Sequence, residues 1–256
     1  MESGQVARPP DRWLRPELVG SWREICLVIL VMLGQFAWTS GWAYAHGSSG
    51  NYLASILSDS KLLKNITVEG TLLAFFLWLL HRRGWKREDL RIKIGWESTF
   101  QAFLLMIAMI VAHAVAMLAL LGLVYAMGNS HSFLATIQEN SLQSQFHVFS
   151  VSWTSILVAM FLNAYFEEIT CTAYIFAQFA AKKGPLFALI LTVALRMSCH
   201  TYQGVLSCLG IGAVFLVSGL WYWRTRNLWI LILSHALLDI GSIGLVKFIG
   251  GHVPAS

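Results

Sequence analysis

The sequence predicts an all-α membrane protein, a polytopic helical bundle of about seven transmembrane helices, and three observations carry that prediction. The chain of 256 residues is 57% hydrophobic and 12% charged, with mean hydropathy +0.63, outside the range of soluble domains. Its apolar residues fall in runs near the roughly 20 that one membrane crossing needs. Its basic residues are concentrated between alternate runs. With no internal repeat or low-complexity block, the expected organisation is an N-terminal segment 1–24, one helical domain 25–250 and a tail 251–256.

Seven spans follow in order: Ile25–Ala45, Ile66–Leu80, Thr99–Met127, Phe149–Ala181, Pro185–Gln203, Val205–Trp223 and Leu228–Ile249. Ala43-Tyr44-Ala45 looks superficially like a signal-peptidase site. The leader before it is long, however, and the apolar run continues through Phe36, Trp38 and Trp42, so the first span is expected to be retained.

Charge sets the expected topology. With the N-terminus cytoplasmic, the inside segments hold Arg8, Arg12, Arg15 and Arg23; Arg82, Arg83, Lys86, Arg87, Arg91 and Lys93; Lys182 and Lys183; and Arg224 and Arg226. Outside lie only Lys61, Lys64 and Lys247, and the loop 128–145 has no Lys or Arg. This positive-inside pattern requires the fourth span to be one long helix. Trp13, Trp22, Trp38, Trp42, Trp221, Trp223 and Trp229 mark interfacial belts, with Trp85 and Trp96 flanking the basic loop. That loop reads as a solvated topology signal with some contact to anionic lipid. The net charge of +5 and pI near 9.1 therefore report topology and not a nucleic-acid partner.

The ionisable residues assigned to span interiors are His113, Glu167, Glu168, Arg196, His200, His235, Asp239 and, near an end, Lys247. Such groups cost several kcal/mol in lipid unless they pair or line a wet cavity, so each is a candidate functional residue. At about 1.5 Å rise per residue, Glu167 lies roughly 21 Å from the cytoplasmic end of its span, His200 about 24 Å, His235 about 12 Å and Asp239 about 18 Å. Three spans thus offer groups to one layer. His235 and Asp239 are i and i+4 on one helix face, as are Arg196 and His200, whereas Glu167 and Glu168 diverge by about 100°. One glutamate is expected to do chemistry while the other holds a partner.

A buried glutamate with a histidine polarises a water, and a second histidine with its neighbour one turn away stabilises the oxyanion formed when that water attacks a carbonyl. The set suits amide hydrolysis. It is equally compatible with Zn²⁺ held by His and carboxylate ligands.

The order EE, then FxxxH (here with another residue in place of the phenylalanine), then Hxxx(N/D), on successive spans, resembles the CPBP intramembrane endopeptidase family, also called the CAAX-protease and bacteriocin-processing (Abi) family. The stretches carrying it are FEEITCTAY, RMSCHTYQG and SHALLDIGS, within about 150–242. The resemblance implies a protease needing no cofactor, with Glu167 as general base acting with His200, and with His235 and Asp239 as the oxyanion-stabilising pair. Glu168 is implied to be the structural carboxylate, and Asp239, being acidic, is expected to orient His235 or carry a proton. Implied partners are a peptide or lipidated protein substrate and membrane lipid, in a bacterial cytoplasmic membrane, with the site opening toward the cytoplasm.

Two positions depart from the family pattern. Thr172 stands where EExxxR has its arginine, and Arg196 stands where FxxxH has its phenylalanine. Arg196 is therefore expected to supply the cation that Glu168 otherwise receives from its own helix.

The remaining candidates read more plainly. His113 has no partner at motif spacing and is assigned to packing; Cys26, Cys171, Cys199 and Cys208 lack CxxC spacing and read as packing thiols. Asn163 and Tyr165 lie within a turn of Glu167 and are candidate supporting donors. Gly210-Ile211-Gly212 signals close helix packing. The rival functions are a metal-dependent protease on the same residues, a non-catalytic immunity or scaffold protein that binds peptides, and a proton-coupled transporter; the absence of an inverted repeat speaks against the last.

Overall fold

The computed structural model describes residues 13–46, 59–128 and 151–250. Among them are seven helices: α1 (Trp22–Ala45), α2 (Asp59–Arg82), α3 (Trp96–Ala126), α4 (Trp153–Lys183), α5 (Pro185–Cys199), α6 (Val205–Thr225) and α7 (Leu228–Gly250). The protein is an all-α polytopic membrane bundle, as the sequence predicts. Five helices, α1 to α4 and α7, are long and apolar enough to cross a membrane, and α5 is a shorter apolar helix. The expectations for 1–12, most of the 128–145 loop, the start of the fourth span at Phe149 and the tail 251–256 fall outside the described residues.

Helix starts follow local chemistry. Ser21 and Ser152 precede α1 and α4, and their hydroxyls accept hydrogen bonds from Glu24 N–H and Ser155 N–H. Pro185 opens α5, where the missing N–H costs nothing.

The charge pattern demanded one long fourth helix, and α4 is that helix. It is also the axis of the bundle, since 56% of its most apolar stretch is buried, against 17% for the peripheral α3. It packs against α2, α5, α7 and α1. The outward side chains of α3 are apolar (Phe103, Ile107, Val111 and Leu118 among them), as a lipid-facing surface requires.

The basic side of the bundle corrects two expectations. Trp13, expected in an interfacial belt, is a core residue, as is Trp85 beside the basic loop, 8% and 6% exposed. Trp13 sits between Phe176 and Tyr222 with the Arg226 guanidinium over its ring. The basic loop, read as a solvated run, is partly structural. Arg83 pairs with Glu24, Arg15 with Asp89 at 2.8 Å, and Arg91 donates to Trp13 O. Asn227 accepts from Lys93 N–H and donates to Lys93 O, joining this loop to the start of α7. Gln178 of α4 ties down the strap from Trp13 to Gly20 that precedes α1, donating to Leu18 O and accepting from Gly20 N–H.

Candidate active site

The site begins with a change of helical pitch. From Glu168 to Phe176, α4 winds as a π-helix, and every residue of this stretch is buried. Hydrogen bonding from i to i+5 widens the turn, a local irregularity often found at functional sites. Hydropathy cannot reveal it, because the residues remain apolar whichever pitch they adopt.

The two glutamates diverge as their spacing predicts. Glu168 points into protein, 1% exposed, and is held from three sides. Arg196 donates to both its oxygens at 2.7 Å, Thr172 Oγ1 donates to Oε2 at 2.7 Å, and His235 Nδ1 lies 3.0 Å from Oε1. Arg196 also donates to Thr172 Oγ1 at 3.0 Å and stacks against Phe215, 4.4 Å from its centroid. Such a two-pronged pair is the arrangement that lets buried charges persist. The two departures from the family pattern thus meet: the threonine and the arginine bind the same carboxylate.

Glu167 faces a cavity of about 510 Å³. Its oxygens lie 3.8 Å from Arg196 Nη1 and 3.9 Å from His200 Nε2, beyond direct hydrogen bonding. Among the described residues His200 Nε2 is buried with no hydrogen-bond partner, and Nδ1 lies 3.4 Å from Gln203 Nε2.

His200 does not lie within a helix, contrary to the expected span Pro185–Gln203. α5 ends at Cys199, and a 3₁₀ turn, Thr201–Gln203, leads to Gly204. Gly204 has φ +93°, a conformation that disfavours a side chain, and it redirects the chain into α6. Backbone that leaves a helix at this depth needs partners. Ser40 of α1 supplies one, accepting from Tyr202 N–H at 2.9 Å and bonding Thr201 Oγ1 at 2.9 Å. The first span is therefore part of the site's scaffold.

His235 bridges two acids, with Nδ1 toward Glu168 and Nε2 3.5 Å from Asp239 Oδ2. It is 4% exposed and stands behind the cavity wall, whereas Asp239 lines the cavity. Asn163, also on the wall, donates to Asp239 at 3.5 Å. Tyr165 instead packs on Phe161 and does not line the cavity. His113 lies against Gly210, where an added Cβ would come within 2.7 Å of its ring, so the glycine allows α3 and α6 to approach and His113 is a packing residue. Cys171 and Cys208 are buried free thiols, while Cys26 is exposed.

One acid escaped the sequence reading. Glu69 of α2, 8% exposed, lines the same cavity, and its position inside the span Ile66–Leu80 was the signal that was overlooked. Among the described residues, no group of three or more His, Cys, Asp or Glu side chains is arranged to hold a metal.

The cavity also lies on an unexpected side. Its walls include Thr39 of α1, Lys64 and Asn65 of α2, Ala159 and Met160 of α4, Tyr202 and Gln203 after α5, and Ser242 and Ile243 of α7. On each helix these residues belong to the half remote from Arg82–Lys93, Lys182–Lys183 and Arg224–Arg226. The space therefore extends away from the basic loops, not toward them.

No curated protein and no solved structure is significantly similar to the chain. Residues 149–241 do match one family, described as Type II CAAX prenyl endopeptidase Rce1-like. The matched stretch is about a third of the chain, contains Glu167, Glu168, Arg196, His200, His235 and Asp239, and includes FEEITCTAY, RMSCHTYQG and SHALLDIGS, so it is similar to the CAAX-protease family that those motifs resemble.

Proposed function

We propose that the protein is an intramembrane endopeptidase that hydrolyses a peptide bond near the terminus or membrane-proximal part of a peptide or lipidated protein. The observation that carries the reading is the pairing of Glu167 with an unpartnered His200 Nε2 across 3.9 Å on the cavity wall. A water placed about 2.8 Å from each fits that separation. Glu167 takes a proton from this water as its oxygen bonds to the scissile carbonyl carbon, and His200 orients the water. Asp239, taken to carry a proton and backed by His235, donates to the oxyanion. Collapse of the intermediate breaks the C–N bond, and the proton held by Glu167 passes to the leaving amine.

Glu168 takes no proton in this scheme. With Arg196 and Thr172 it fixes His235 and the pitch of α4, so that Glu167 faces the cavity. By the positive-inside rule the basic loops are cytoplasmic, and substrate then reaches the site from the other face of a bacterial cytoplasmic membrane. This favours a peptide or lipidated chain already inserted in, or carried across, the membrane.

The test is cleavage of a peptide library in detergent or liposomes by the wild type and by Glu167→Ala. The reading expects products from the wild type alone. Equal cleavage by both would overturn the assignment of Glu167, and none by either would favour a peptide-binding protein without catalysis.

A further inference from the structure

Glu69 has no role in the scheme above, yet it is more than nine-tenths buried and lines the cavity. Among the described residues, no hydrogen bond or ion pair reaches its carboxylate. The other cavity acids have neighbours: Glu167 has Arg196 and His200, and Asp239 has His235 and Asn163. Arg196 is committed to Glu168. Lys64 is an exposed residue five positions from Glu69, about 140° around the helix, and forms no ion pair with it.

A buried acid without a partner is costly, and Glu69 also lies within Coulombic reach of Glu167 and Asp239. One incoming cation would relieve both costs. The surrounding wall suits a cation on an apolar stem. Val68, Met160 and Ile243 supply hydrocarbon, and Asn65, one turn before Glu69, supplies an amide on the same face.

Resting on the peptidase reading, we propose that Glu69 is the anionic end of a specificity subsite that receives a lysine or arginine side chain of the peptide substrate. It does not take part in bond cleavage. It sets which residue lies beside the scissile bond and in what register.

The test uses the full chain in detergent and a membrane-proximal peptide in which Lys and Gln are exchanged at each position in turn. The wild type is expected to prefer Lys over Gln at one position by about 10-fold to 100-fold in kcat/KM, mostly through KM. Glu69→Gln should collapse that ratio toward one, and Glu69→Lys should turn it toward a Glu-bearing peptide. Cleavage of Gln peptides with no Lys preference at any position would overturn the subsite and leave the peptidase reading standing. So would a Lys preference that survives in a folded Glu69→Gln variant. If no peptide is cut, the Lys and Gln peptides are compared by the thermal shift they produce. A shift by Lys peptide in the wild type that is lost in Glu69→Gln supports the subsite while the peptidase reading fails; no difference overturns it. Should Glu69→Gln not fold, Glu69→Leu provides the same two comparisons.

Discussion

Arg196 on α5 grips Glu168 on α4 with two parallel hydrogen bonds of 2.7 Å, deep in the bundle. The pair joins the helix bearing Glu167 to the one that ends at Cys199, just before His200. Arg196→Phe alone leaves Glu168 buried with its main cation gone, a change that costs about 3–5 kcal/mol for buried pairs. Thr172→Arg alone overfills the same space. The double change Thr172→Arg/Arg196→Phe restores the family arrangement and should recover folding, and with it activity, beyond the sum of the single changes. A thermal-denaturation cycle in detergent checks this, and additive losses would show that the two positions do not exchange roles.

Glu167 and Glu168 should separate when each is made glutamine. Among the described residues Glu167 approaches Arg196 and His200 only at 3.8 and 3.9 Å, beyond hydrogen bonding, so Glu167→Gln should leave the melting temperature nearly unchanged. Loss of a general base lowers turnover by about 10²-fold to 10⁴-fold. Glu168→Gln removes the charge that Arg196 faces and should destabilise first. Parallel melting and cleavage measurements decide, and a stable, active Glu167→Gln variant would refute the catalytic assignment.

Much of this was legible in the sequence, and the reasons differ by residue. The helix order, the long α4 and the layer holding Glu167, His200, His235 and Asp239 follow from hydropathy, charge and a fixed rise per residue. The bond between Arg196 and Glu168 was legible because two irregular positions complemented each other. The π-helical pitch, the end of α5 before His200 and the burial of Trp13 depend on contacts between distant segments, which no local period encodes. Glu69 was overlooked for a different reason: alone in an apolar run, it lacks the motif neighbours that mark Glu167. The side on which the cavity lies required the wall residues of five helix regions together.

Ser40 provides a test of how the turn at His200 is held. Its hydroxyl serves both Tyr202 N–H and Thr201 Oγ1, and it is 1% exposed. Ser40→Ala removes the acceptor of the partly buried Tyr202 N–H and the partner of Thr201 Oγ1, a loss of about 1 kcal/mol. Because the turn positions His200, kcat should fall more than the change in folded fraction explains, and Ser40→Thr should recover part of it. An unchanged kcat per folded molecule in Ser40→Ala would mean that the turn is held by its helices alone.

Acid should loosen the basic side of the molecule through Asp89. Burial pushes this carboxyl up, but hydrogen bonds from Arg15 and from Lys86 N–H outweigh burial and hold it below the ordinary carboxylate range. A carboxyl depressed by folding contributes stability that is fully present above its unfolded value, about 3.9, and is lost as pH falls through the lower folded value. The strap from Trp13 to Gly20 should therefore detach in acid, releasing Trp13 from beneath Arg226 and changing its fluorescence. Asp89→Asn should weaken docking at neutral pH and remove this acid-dependent step. Fluorescence titration of both proteins from pH 7 to pH 3 measures it, and an identical acid transition in Asp89→Asn would assign the step to another carboxylate.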